Sequence, residues 1–182
     1  MCKNRVCFGT PLCWSHNKVL YGVKIKESGE KNAGKGLFAT KTFGPNEWVC
    51  PYSGFETTKP CIDQWYKGAD TTAPYVECDY SHAMASDSGR VCVDAACTRG
   101  IGSMANTKVT FVNNVPVVAD RNLQNCDTEV RGDGSIWLKT LKKINKDREL
   151  FVFYGEQYLL QDNHSTKRRV KQDKPGGPPP CI

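Results

Sequence analysis

Apolar positions in this chain come in short stretches, alternating with polar residues or in brief runs, and few carry a helical period. The clearest run is Leu150-Phe151-Val152-Phe153, which ends on Tyr154 and Gly155 and predicts a short buried strand. Residues 19–26 end in the apolar/basic alternation Val23-Lys24-Ile25-Lys26 and also predict a strand. So do residues 48–54, which reach Tyr52 and Gly54, and residues 136–140. Residues 75–80 and 90–95 predict a strand pair around the polar loop 81–89. Residues 109–112 and 115–119 flank Asn113-Asn114, a dipeptide suited to a hairpin turn. Residues 142–148 predict a charged turn, and only residues 56–67, with Pro60, Ile62, Trp65 and Tyr66, suit a short helix. Strands recurring about every 10 to 15 residues between Gly- and Asn-bearing turns predict a mostly β fold of small sheets.

At 182 residues, one domain with a tail or small module is the expectation. A chain that is 39% hydrophobic and 24% charged can build a core without staples. No apolar run approaches the roughly 18–20 residues needed to span a bilayer. The opening Met1-Cys2-Lys3-Asn4-Arg5-Val6-Cys7 lacks the apolar segment of a signal peptide, so an intracellular location is expected. In a reducing compartment the ten cysteines are thiols or metal ligands, with Cys50, Cys78 and Cys92 as buried free thiols. Much of the +6 net charge sits in the tail, residues 161–182, where from Asn163 onward Lys167, Arg168, Arg169, Lys171 and Lys174 oppose Asp173 alone. The nearly neutral remainder argues against a nucleic-acid-binding face. That basic tail ends in Pro175-Gly176-Gly177-Pro178-Pro179-Pro180 and reads as a flexible or polyproline-like linker, or as a nuclear-localisation patch.

Residues 1–18 stand apart. Cys2, Cys7, Cys13 and His16 could supply three thiolates and an imidazole to a tetrahedral structural zinc, and Gly9-Thr10-Pro11 suits a tight turn between them. Free cysteines beside an exposed histidine, or a disulfide, are the alternatives. The segment has little apolar mass to fold without a metal, which favours zinc.

Residues 19–160 carry the remaining candidates for chemistry. Gly34 and Gly36 around Lys35 would let backbone approach a ligand closely, although such pairs are often only turns. Asn106 and Asn125 sit in two loops, and Tyr52 and Tyr154 end apolar stretches. A tyrosine so placed has a ring to bury and a hydroxyl that needs a partner, which by itself describes a core residue.

Taken in order, these pieces resemble the SET-domain family of protein lysine methyltransferases. Gly34-Lys35-Gly36-Leu37-Phe38-Ala39 is similar to that family's opening glycine motif, Tyr52-Ser53-Gly54 to its Y-x-G, and Val93-Asp94-Ala95 to its (I/V)-D-A. Asn106 aligns with the Asn of its Asn-His pair, and Asn125-Cys126 with its later N-C. Glu149-Leu150 and Phe153-Tyr154-Gly155 match E-E-L-x-x-x-Y-G. The cysteine head followed by GKGLFA also resembles a subset of SET proteins from protists and large viruses. Three departures stand out: Thr107 replaces the family's His, Gln124 replaces its Pro, and 18 residues containing the hairpin separate Asn106 from Asn125. The family's cysteine cluster after the domain is also missing.

The resemblance implies a SET-type fold and methyl transfer from S-adenosylmethionine to a lysine amine, with a histone tail or another basic protein as substrate. It implies catalytic roles for Tyr154 and Tyr52. Lys35, Gly36, Leu37, Asn106, Thr107, Asn125 and Tyr154 would face the cofactor. Tyr52, Val152 and Tyr158 would face the substrate lysine. Thr107 in place of His motivates the alternative, a catalytically weak SET-like module that only binds peptide.

Overall fold

The computed structural model describes residues 12–30, 33–58, 83–85, 92–95, 100–113 and 115–154. The chain opens with helix α1 (Trp14–Tyr21), then strands β1 (Val23–Glu27), β2 (Lys35–Ala39), β3 (Trp48–Pro51), β4 (Phe55–Thr57), β5 (Ala83–Ala85) and β6 (Cys92–Asp94). A 3-10 turn, Ile101–Met104, leads to β7 (Val109–Val112) and β8 (Val115–Val118), and a second, Arg121–Leu123, to β9 (Cys126–Val130), β10 (Ile136–Thr140) and β11 (Glu149–Leu150). The mostly β expectation holds. No helix among the described residues is long and apolar enough to cross a membrane.

Strand β2 is the middle of the sheet β1-β2-β11. Its antiparallel register with β1 runs from Val23↔Ala39 to Glu27↔Lys35, and with β11 it sets Glu149↔Phe38 and Leu150↔Leu37. Gly36 and Leu37 therefore lie close in space to Glu149 and Leu150, over a hundred residues away in sequence. A second sheet has the order β3-β10-β9, a third β4-β6-β5, and β7 and β8 form a separate hairpin.

Several local expectations are corrected. The strand expected from Val19 starts at Val23, because residues 14–21 form helix α1. Gly22 ends that helix at φ 68°, with its N–H on the Lys18 carbonyl at 3.0 Å, a left-handed cap that glycine adopts without cost. Phe55–Thr57 is a strand where a helix over 56–67 is expected, and Ala83–Ala85 is a strand inside the expected loop 81–89. Both pair with β6, so long-range pairing overrode local preference. The expected strand 75–80 lies outside the described residues. Strand β9 was missed, although Cys126, Thr128 and Val130 alternate with Asp127 and Glu129. Strands β7 and β8 pair antiparallel as expected, with Val112 opposite Val115, and Asn114 between them lies outside the described residues.

The core joins the sheets through Leu37, Cys50, Ile101, Leu138, Leu150 and Val152, each at most 2% exposed. One fully buried polar residue, Gln124, fastens the base of the hairpin. Its Oε1 accepts from the Lys108 N–H at 2.8 Å, and its Nε2 donates to the carbonyls of Lys108 (3.3 Å) and Ala119 (3.0 Å). A buried amide needs these partners, and buried backbone groups need it in turn.

Candidate functional site

The apolar run Leu150–Phe153 is only partly a strand. After Glu149-Leu150, the chain continues as two isolated parallel bridges, Asn106↔Phe151 and Cys126↔Val152. The closing segment thus runs between the two asparagine loops. On one side the Val152 N–H donates to the Asn106 carbonyl at 2.8 Å. On the other, the Phe151 carbonyl accepts from the N–H groups of Asn125 (3.2 Å) and Cys126 (2.9 Å). The Asn125 side chain completes this edge: its Nδ2 donates to the Glu149 carbonyl at 2.8 Å and its Oδ1 accepts from the Phe151 N–H at 2.7 Å. A side-chain amide here imitates the peptide group of a missing neighbouring strand.

Next to this crossing lies a carboxylate. Glu149 is 7% exposed, and a charge so placed persists only with partners. It accepts from Ser28 Oγ at 2.7 Å, the Gly29 N–H at 2.9 Å and Asn106 Nδ2 at 3.0 Å. Asn106 Nδ2 also donates to the Lys35 carbonyl at 3.1 Å. Both amide hydrogens of Asn106 therefore face acceptors, which fixes Oδ1 as the group left to meet a ligand. Gly36 closes the cluster. A Cβ there would lie 2.9 Å from Asn106 Nδ2 and 2.8 Å from Glu149 Cδ, so only glycine leaves the carboxylate its place. Lys35 turns its ammonium away, into an exposed ion pair with Glu27.

Tyr154 joins from the end of the segment. Its hydroxyl donates to the Ala105 carbonyl at 2.8 Å, one residue before Asn106, while its ring packs against the core. Tyr52 is 4% exposed on the end of β3. It abuts the 3-10 turn that delivers Ala105 and Asn106, since a Cβ on Gly102 would lie 3.1 Å from the Tyr52 Cα. Val152 and Leu37 are core residues. Thr107 is 4% exposed, and its hydroxyl has no hydrogen-bond partner among the described residues.

The structure therefore brings Lys35, Gly36, Asn106 and, through the crossing segment, Asn125 and Tyr154 into one neighbourhood. Tyr158, Cys2 and Cys7 lie outside the described residues. Cys13 and His16 meet across one helical turn, Sγ to Nδ1 at 3.5 Å, and no cluster of three metal-ligating side chains occurs among the described residues. Sequence reasoning missed the Glu149 carboxylate and the Ala105 carbonyl as members of the site. The available signal was an acid at the head of an apolar run, which must be buried with partners or not at all. A cleft of about 550 Å³ opens beside the cluster, with Gly29, Lys108, Asn125, Arg148, Glu149 and Phe151 among its lining residues.

Two buried thiols complete the surroundings. Burial pushes the Cys50 thiol well up, helped by the nearby Cys126, and pushes Cys126 up as well, helped by Asp127. Both stay protonated and inert at neutral pH.

The SET-domain family model matches residues 34–155, which spans the glycine turn, both asparagine loops and Tyr154. The chain belongs to the SET-domain family. That family is the one of S-adenosylmethionine-dependent protein lysine methyltransferases. No curated protein matches the chain. Among solved structures, "Structure of ctPRC2 in complex with H3K27me3 and H3K27M" is similar at 21% identity and a TM-score of 0.53, over 73% of this chain. "ctPRC2 in an autoinhibited conformation bound to S-adenosylmethionine" is similar at 20% identity and 0.48, over 76%. This SET chain spans only 14% and 16% of those chains. At 21% identity the first likeness is one of fold.

Proposed function

We propose that the chain is a protein lysine N-methyltransferase that uses S-adenosylmethionine and acts on histone tails or another basic protein. The observation that carries this reading is the Tyr154 hydroxyl on the Ala105 carbonyl, one residue from an asparagine whose amide is already oriented. Bound S-adenosylmethionine would supply a methyl group on a sulfonium, open to in-line displacement by a neutral amine. Such a transfer needs alignment and a dry, oxygen-lined channel more than acid–base chemistry. With its O–H donating to the Ala105 carbonyl, the Tyr154 oxygen presents lone pairs that can accept from the lysine amine or the methyl hydrogens, and its ring walls the channel.

The residues present fit the cofactor. Asn106 Oδ1 offers an acceptor to an ammonium, and the buried Thr107 hydroxyl has hydrogen-bonding capacity unmet among the described residues. Gly36 removes the side chain that would block the turn. Backbone at Lys35, Gly36 and Leu37 belongs to the cofactor side, with Asn125 beside it. Tyr52, Val152 and Tyr158 belong to the lysine side in this proposal, and aromatic walls there would favour a methylated ammonium. Nuclear residence goes with a histone substrate and with the basic run from Lys167 to Lys171.

The test is mass spectrometry of a histone mixture incubated with the protein and S-adenosylmethionine. Methylated lysine is expected, and Tyr154→Phe should lose transfer while still binding the cofactor. A protein that shows no cofactor binding by calorimetry ends the proposal. Cofactor and peptide binding without turnover would favour the peptide-binding module instead, the reading that Thr107 in place of His allows.

A structural zinc on Cys2, Cys7, Cys13 and His16 remains part of the proposal, supported by the Cys13–His16 contact. One equivalent of zinc by elemental analysis is expected, lost in Cys13→Ser.

A further inference from the structure

We propose that Glu149 is the positioning residue of the cofactor site, acting through Asn106; this rests on the methyltransferase reading. Its carboxylate contacts are with the protein's own groups. It sits at 7% exposure and joins two segments that are far apart in sequence, accepting from Ser28 Oγ and the Gly29 N–H of one turn and from Asn106 Nδ2 of another. Ser28 is itself set, since its Oγ accepts from the Glu30 N–H at 3.0 Å.

The consequence is one of orientation. An asparagine amide can present oxygen or nitrogen to a ligand, and rotating it exchanges the two. At Asn106 the nitrogen faces the Lys35 carbonyl and the Glu149 carboxylate together. Turning the amide would set its oxygen against two acceptors, one of them charged. Glu149 thereby holds Oδ1 toward the ligand side and selects a positively charged donor, the α-ammonium of an S-adenosyl amino acid, over a carboxylate. The same carboxylate anchors the turn at Ser28–Gly29 against the strand that carries Gly36, so turn and amide are set by one group.

Glu149→Gln keeps the volume but offers one acceptor and one donor, so it cannot accept from all three partners. Loss of a charge-assisted hydrogen bond corresponds to roughly 10- to 100-fold in a binding constant. Calorimetry with S-adenosylhomocysteine should show affinity at least about tenfold weaker for Glu149→Gln than for wild type. In turnover the cofactor KM should rise by the same factor, with the peptide KM unchanged and kcat within about threefold. The deciding measurement is a cycle with an S-adenosylhomocysteine analogue that lacks the α-amino group. Wild type should lose much of its affinity for the analogue, whereas Glu149→Gln should distinguish the two ligands little. Equal discrimination by both proteins would reduce Glu149 to a fold-stabilising residue and overturn the proposal. Ser28→Ala, which removes one arm and keeps the charge, should give a smaller effect of the same kind if Glu149→Gln folds poorly. Independently of any ligand, the Asn106 side-chain amide protons should exchange slowly in wild type by NMR and quickly in Glu149→Gln. Slow exchange in a wild-type protein that binds no S-adenosylhomocysteine would overturn the methyltransferase reading and leave the clamp standing. Fast exchange in wild type would overturn the clamp itself.

Discussion

Gly36→Ala is the sharpest perturbation of the cluster. The added methyl would sit well inside contact distance of Glu149 Oε1, 2.8 Å from its Cδ and 2.9 Å from Asn106 Nδ2. A carboxylate on a flexible stem could ordinarily swing aside. Here Oε1 accepts from both Ser28 Oγ and Asn106 Nδ2, while Oε2 accepts from the Gly29 N–H, so moving it breaks bonds. A hydrogen bond to a charged group is worth about 1.5–3 kcal/mol, and overpacking adds about 1–3 kcal/mol. Water readmitted to the displaced carboxylate returns part of this, which leaves a net loss of roughly 2–4 kcal/mol. For a domain of this size that is a fall in Tm of roughly 5–15 °C. Circular dichroism melts of the wild type, Gly36→Ala, Glu149→Ala and the double variant form the assay. The two substitutions should be strongly non-additive, because Gly36→Ala meets little once the carboxylate is gone. An additive cycle, or a Gly36→Ala melt within about 1 °C of wild type, would show that the carboxylate does not occupy this place.

Gln124→Ala should cost about 2–4 kcal/mol, since it leaves a cavity and strips the backbone of Lys108 and the buried Ala119 of three hydrogen bonds. Amide hydrogen exchange should quicken across residues 108–119, and unchanged exchange there refutes the fastening role. Cys50 and Cys126 should resist iodoacetamide at pH 8 in the folded protein and react after unfolding, as peptide mass mapping can show. Their folded pKa values lie above the ordinary thiol value. The stability they confer is therefore complete below that ordinary value and declines as pH rises toward the folded values. Denaturant midpoints should fall on raising pH from 8 through 10, less so in a Cys50→Ala variant.

Much of this was written in the chain. The alternation from Val23, the run ending on Tyr154, the Asn113-Asn114 turn and the order of glycine, asparagine and tyrosine motifs are local features. Local features fix strand faces, turns and the identity of the family. Helix α1 and β9 were legible too, through Gly22 as a stop and through the period of two in Cys126, Thr128 and Val130.

Tertiary structure decided what the motifs do. Ser28 and Glu149 meet across 121 positions, and Lys35 and Asn106 across 71. No periodicity reports such a meeting, because it depends on β11 adding to the free edge of β2. Asn125 is a motif position in the sequence, and only the fold shows its amide strapping the backbone of Glu149 and Phe151. Glu149 stood in the sequence only as part of the E-E-L match, and in the fold its buried carboxylate accepts from the Asn106 amide. The sequence carries the residue types and their order. A buried charge takes its meaning from its partners, and only the folded chain supplies those.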